Sequence, residues 1–399
     1  MKIAMIVQRY GTDIVGGAES HSRGVAEGLA QRGHEVEVIT TCARSYITWA
    51  NAFPEGVETV NGLPVRRFRV EYERDIEAFN GRSDELFGQP HTIEDEEDWL
   101  EAQGPYCPGL IDHLHTVAGD FDRLFFFTYL YYPTVHGLHA APEKSVLQPT
   151  AHDEAAIYLQ LYDAVFSLPT GIFFNTDSEE AFLRRRFRAL PTKTTVVGAG
   201  IDHLEELCAP SEGAAHARRE GAATGGPPTV VYAGRLEAGK GIVQMLDFLR
   251  RYRRESGMPL RVELMGELLM DAPDDEWIEV LGFVSDEEKV RRLREATVLV
   301  SPAPLESLGL VVLEAMAAGT PPLVNADAEP VKEHCRRANS GLYYRDYPEF
   351  RQALELLLTD DRLRQAMAKS GASYVRENYS WPEVIRRYES FLEELPEDL

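Results

Sequence analysis

The feature that most constrains the fold of this chain is a pattern met twice: short, continuously apolar runs separated by helical stretches. In the first half the runs are Lys2–Gln8, Glu35–Thr41, Val65–Val70, Leu124–Thr128, Ser145–Gln148, Gly171–Asn175 and Thr194–Val197. Residues 16–31 read as a helix with Val25 and Leu29 on one face, ended by Gly33. Strands that are apolar along their whole length are buried on both faces, the environment of a mostly parallel sheet covered by helices. Around Cys208 to Pro228 the composition shifts to Ala, Gly, Ser, Glu and Pro, with the breaker Gly225-Gly-Pro-Pro228. A second series then follows: Thr229–Ala233, Leu260–Met265, Trp277–Leu281, Thr297–Val300, Pro322–Asn325 and Gly341–Tyr343. The expected class is α/β, with two doubly wound, Rossmann-like domains at 1–207 and 229–379 and a linker region at 208–228. Pro382–Leu395 reads as a last helix whose apolar face is Val384, Ile385, Tyr388, Phe391 and Leu392.

Whole-chain properties exclude several classes. The net charge of −24 disfavours nonspecific binding to nucleic acid or to an anionic membrane. No apolar run reaches the length of about 18 residues needed to span a bilayer, so membrane association is at most peripheral. Met1 to Val7 is too short for a signal-peptide core and continues into patterned sequence. Cys42, Cys107, Cys208 and Cys335 lie far apart, which suits neither a disulfide framework nor a zinc site. A reducing, cytoplasmic setting is the default expectation. Arg184 to Arg188 is either a dock for an anionic acceptor or lipid headgroups, or a solvated helix face. Residues 71–104, with the acidic run Ile93 to Asp98 and Trp99 behind it, read as less regular: part of an acceptor site or a surface insertion.

The segment Ser301 to Pro321 carries the densest chemistry. Glu306 sits on a Pro-rich turn, and Glu314 follows eight residues later inside an apolar helix. Ser307 suits an N-cap, and Gly309 lets the backbone approach a ligand. Gly319 and Pro321 close the helix. Free amides at a helix start bind anions, and flanking carboxylates accept hydrogen bonds from hydroxyls. That combination suits a ligand with both phosphates and sugar hydroxyls. The segment resembles the signature of the family 4 retaining glycosyltransferases, with Leu308 where the family usually has Phe.

The resemblance extends to other segments. Gly234-Arg235 and Lys240-Gly241, after the strand Thr229–Ala233, are similar to the pair with which that family grips the donor diphosphate. The string lacks the pattern of a Walker P-loop. Gly16 and Gly17, directly after the first strand, match a Gly-Gly-x-Glu that ends at Glu19. His152, in Gln148 to Glu154, matches a family histidine that approaches the transferring sugar; Glu154 has no role in this reading. Phe283 and Val284 lie in a stretch resembling the loop whose backbone contacts the nucleobase. Val197 to Asp202 resembles a Pro-Asn-Gly-Val-Asp turn without its Pro and Asn. Asp120-Phe-Asp122 spells the Asp-x-Asp of metal-dependent transferases, but it precedes a strand and reads as structural.

The resemblance implies a GT-B fold with a cleft between the domains, and places residues 380–399 back on the first domain. It implies a retaining, metal-independent transferase that uses a UDP- or GDP-linked sugar, needs no cofactor, and acts on an acceptor the sequence does not identify. Glu306, Arg235, Lys240 and His152 would carry the chemistry. Gly16, Gly17, Gly234, Phe283, Val284, Ser307, Leu308, Gly309, Leu310 and Glu314 would bind the donor. A phosphorylase or synthase on the same fold, or a silent nucleotide-sugar-binding protein, are the alternatives.

Overall fold

The computed structural model describes residues 1–14, 16–209 and 226–395. Most of the expected linker at 208–228 lies outside the described residues. By contact, the chain divides into one unit of Met1–Gly200 with Trp381–Leu399 and a second of Ile201–Ser380. The short helix Leu204–Cys208 goes with the second unit because it packs on the helices Leu310–Ala317 and Asp286–Glu295.

The strands of the first unit are β1 Lys2–Ile6, β2 Glu35–Thr41, β3 Gly56–Val60, β4 Leu63–Phe68, β5 Arg123–Phe127, β6 Ser145–Gln148, β7 Gly171–Phe174 and β8 Lys193–Val196. They form one sheet in the order β3-β4-β2-β1-β5-β6-β7-β8. Every pairing is parallel except the edge hairpin β3–β4. The central strands are buried at every position: Arg123 to Phe127 and Gly171 to Phe174 expose nothing substantial. Helices fill both faces, so each face has its own apolar layer.

The last helix, Trp381–Glu394, completes one of these layers by packing on Gly17–Gln31. Gly24 and Gly28 make the contact possible, since a Cβ at either would collide with Trp381 or Ile385. Val384, Ile385, Tyr388, Phe391 and Leu392 are all buried there.

The second unit holds β9 Thr229–Ala233, β10 Arg261–Met265, β11 Ile278–Gly282, β12 Val298–Ser301, β13 Pro322–Asn325 and β14 Leu342–Tyr344. The sheet order is β11-β10-β9-β12-β13-β14, parallel throughout. The order reverses direction at β9 and β12, and ligands in such sheets bind beyond the strand ends at that switch point. The expected class, two Rossmann-like α/β sheets of the GT-B type, is the one observed.

Two expectations need correction. Residues 71–104 are not irregular: Ile76–Gly88 and Ile93–Gln103 are helices. Thr92 and Asp95 form a reciprocal capping box on the second of these. Nor is the acidic run, which a sequence reading takes as solvated, wholly exposed. Glu96 is buried and accepts from the Leu161 amide at 2.8 Å, and Trp99 is core. The second correction is β3, which the apolar pattern does not show because its side chains are largely exposed.

Candidate donor and partner sites

In the second unit two loops meet. The first runs from the end of β9 to the helix Ile242–Ser256; the second runs from the end of β12 to the helix Leu310–Ala317. Gly234 closes β9 and donates its amide to the Met265 carbonyl at 2.9 Å. Gly241 takes φ +74°, and a Cβ there would lie 2.4 Å from the Pro302 carbonyl oxygen. Glycine is therefore required for the first loop to lie against the second. The contact brings Lys240 Nζ to 3.0 Å from Glu306 Oε1, with both side chains about one quarter exposed. Arg235 pairs instead with Glu237, at 3.2 Å.

Ser307 is not the helix cap. The helix starts at Leu310, its N-cap is Gly309 at φ +79°, and no side chain satisfies the cap. Among the described residues the Gly309 and Leu310 amides donate to no backbone group. A helix start with unsatisfied N–H groups carries partial positive charge and attracts anions. It lies three residues from Glu306 of the partly exposed Lys240–Glu306 pair. At the other end, Gly319 and Thr320 close the helix onto the Met316 and Ala315 carbonyls.

Glu314 points from this helix into a buried position. Its Oε1 accepts from Lys289 Nζ at 2.9 Å, whereas Oε2 is buried with no hydrogen-bond partner. Burial pushes the Glu314 carboxyl up, and Lys289 only partly reverses this. The Lys289 ammonium is destabilised by burial but ends above its ordinary value because Glu314 holds it. A buried carboxylate oxygen without a donor is costly, and hydroxyl groups of a ligand would relieve it. Lys289 was not legible in the sequence: it lies 25 residues from its partner. Phe283, in the loop after β11, is 65% exposed. Val284 beside it is partly buried.

The first unit holds the remaining residues. Gly16 precedes the helix Gly17–Gln31, and a Cβ there would collide with the Glu19 carboxylate. Glu19 is buried and salt-bridged to Arg9, and Gln8 also donates to its Oε1 at 3.0 Å. His152 follows β6. Its Nε2 lies 3.5 Å from Glu154 Oε2, and Glu154 Oε1 accepts from the Tyr129 hydroxyl at 2.6 Å. Burial raises the Glu154 carboxyl, but His152 and Tyr129 outweigh it and hold it below the usual range. Glu179 receives the Ala151 and Asn175 amides, each at 2.6 Å, and so fixes the backbone before His152. Burial nevertheless pushes Glu179 up to about 8. The role of Glu154, two residues from His152, was open to a sequence reader; that of Glu179 was not.

Other residues singled out in the sequence have local partners. Asp122 accepts from the Lys2 amide at 2.6 Å. Arg184 pairs with Glu180 and Arg186 with Asp163. Among the described residues no group of three or more His, Cys, Asp or Glu could hold a metal ion. No helix among them is long and apolar enough to cross a membrane.

Comparison with known proteins finds relatives in sequence and in fold. Residues 215–374 match the family model for glycosyl transferases group 1. An uncharacterised glycosyltransferase of Methanocaldococcus jannaschii is 25% identical over 97% of this chain and 96% of its own length. The D-inositol 3-phosphate glycosyltransferase of Jonesia denitrificans is 27% identical over 93% of this chain and 89% of its own. Among solved structures, the HepE protein of Anabaena in complex with UDP-glucose superposes with a TM-score of 0.69 at 16% identity, covering 99% of this chain and all of that one. The chain is thus related in sequence to glycosyltransferases and shares their GT-B fold.

Proposed function

We propose that this chain is a retaining glycosyltransferase that moves a sugar from a UDP- or GDP-linked donor to an acceptor, without a metal, and that its second unit binds the donor. One observation carries the reading. Lys240 and Glu306 meet beside a helix start with uncapped amides, and Glu314, on the same helix, keeps one buried oxygen without a donor.

The roles follow from chemistry. The amides of Gly309 and Leu310 would take the diphosphate, with Lys240 and Arg235 offsetting the charge that builds as it leaves. Glu306 would exchange its lysine partner for hydroxyls of the donor sugar. Glu314 Oε2 would accept from ribose hydroxyls while Lys289 occupies Oε1. In this reading Glu306 is engaged by hydroxyls of the sugar and does not attack it, so the transfer proceeds by front-face attack. The acceptor O–H attacks the anomeric carbon on the face the diphosphate leaves. A departing phosphate oxygen takes the proton. The protein would contribute positioning and preorganised charge. The relatives support the class of reaction and the UDP-glucose complex makes UDP the first probe. The acceptor is not transferred from any of them.

The test is calorimetric titration with UDP, GDP and ADP, with Glu314→Ala as control. One diphosphate should bind wild-type protein and lose roughly tenfold or more in affinity in the variant, the loss of one or two hydrogen bonds to a charged group. Failure of all three to bind wild-type protein would refute the donor site.

A further inference from the structure

The turn that opens the helix Leu310–Ala317 is held by a side chain from a different helix. His334 lies on Glu329–Ala338 and is 1% exposed. Its Nε2 is 3.0 Å from the Leu308 carbonyl oxygen. Its Nδ1 is 3.1 Å from the Tyr374 hydroxyl and 3.4 Å from that of Tyr379. A carbonyl oxygen only accepts, so Nε2 must carry the proton, and Nδ1 then accepts from a tyrosine hydroxyl. Burial pushes the imidazole down to about 4, so it stays neutral near pH 7.

This bond has a directional consequence. Gly104–Pro105 is the cis peptide of the described chain, so Leu308–Gly309 is trans. In a planar trans peptide the C=O and the following N–H point in opposite directions. With the Leu308 oxygen turned to His334, the Gly309 N–H is turned away from it, and it has no backbone acceptor among the described residues. Glycine at φ +79° makes this peptide easy to invert, because Gly occupies several backbone regions at similar cost. Inversion would present an oxygen where an anion needs a donor. The same helix also excludes any other residue at 309: a Cβ there would sit 2.2 Å from Val331 Cγ1. One helix thus enforces the glycine through Val331 and fixes its preceding peptide through His334.

We propose that His334 is a positioning residue of the diphosphate site, holding peptide 308–309 in the orientation that offers the Gly309 N–H to the anion. This rests on the donor-site reading above. His334 itself touches no ligand; it acts through Leu308.

The experiment compares wild-type protein, His334→Leu and His334→Gln, each checked for folding by thermal melt. Affinity is measured for UDP by calorimetry and for uridine, which has no phosphate, by ligand-observed NMR titration. His334→Leu should weaken UDP about tenfold or more, the order expected for one hydrogen bond to a charged group, and leave uridine within twofold. His334→Gln, which keeps an N–H donor, should recover most of the loss. If His334→Leu does not fold, the double variant Tyr374→Phe, Tyr379→Phe takes its place. It frees the tautomer and should cost UDP several-fold while sparing uridine. Unchanged UDP affinity, or equal losses for UDP and uridine, would overturn the assignment. Wild-type protein that binds UDP, GDP and ADP not at all would remove the donor-site reading itself, and this inference with it.

Discussion

The loops that follow the first strand of each sheet make an instructive pair. Each leaves the C-terminal end of a central parallel strand, β1 or β9, and enters a 15-residue helix past glycine. In the first unit the loop closes on itself. Arg9 and Glu19 are 7% and 8% exposed, and Gln8 adds a further donor to the same carboxylate oxygen. In the second unit the loop closes on a neighbour. Lys240 meets Glu306 with 28% and 25% of their side chains exposed, at a bond a ligand can displace. Topology puts a charged pair at both places; burial closes the first off as scaffold and leaves the second open to a ligand. Breaking a buried pair leaves an uncompensated charge in a low dielectric, whereas an exposed pair contributes little to folding.

The largest expected effect tests the closed pair. Glu19→Ala strands the Arg9 guanidinium and should cost about 3–5 kcal/mol of stability, read as the shift of a chemical denaturation midpoint. The next tests the open pair. Lys240→Met should change stability by less than about 1 kcal/mol but lower transfer from the nucleotide sugar by roughly one to three orders of magnitude. Equal destabilisation by the two variants would break the contrast. Normal turnover in Lys240→Met would keep the contrast in stability but remove the lysine from the chemistry.

The same division explains what the sequence discloses. The inner strands of both sheets are legible because burial on two faces makes them continuously apolar, as in Leu124 to Phe127 and Val230 to Tyr232. β3 is hidden because it is an exposed edge strand; the only local sign is Asn61-Gly62, both at positive φ in a tight hairpin turn. The helix Ile93–Gln103 also had a local sign, the Thr92–Asp95 capping box, masked by a run of acidic residues. At the candidate donor site the residue types can be read, but their partners cannot. Lys240 and Glu306 are 66 residues apart, Lys289 and Glu314 25, and His334 and Leu308 26. Nor does the sequence tell Ser307 from Gly309 as the helix cap. That choice depends on a positive φ at Gly309 and on Val331, which leaves no room for a Cβ there, a tertiary contact.

The smallest expected effect concerns acid stability and returns to the first unit. His21 is buried on the helix Gly17–Gln31, and its Nε2 lies 3.1 Å from the Tyr388 hydroxyl. That hydroxyl donates to Gln148 Oε1 at 2.7 Å, so it accepts from His21, whose Nε2 is protonated in a neutral ring. Burial lowers the imidazole to about 3, against roughly 6.5 in an unfolded chain. Between these values the unfolded chain binds a proton that the folded chain does not. Stability is then complete above about pH 6.5 and falls as the pH drops, by up to about 1.4 kcal/mol per pH unit from this residue. His334 adds a loss of the same sign in the second unit, down to about pH 4. His21→Gln keeps an N–H donor toward Tyr388 but does not titrate. Denaturation at pH 7.5 and 5.5 should therefore show a shallower loss in His21→Gln than in wild-type protein, with His334 still contributing its share. An identical loss in both proteins would mean that His21 takes up its proton in the folded state, and that the layer between the first helix and the last is open to water.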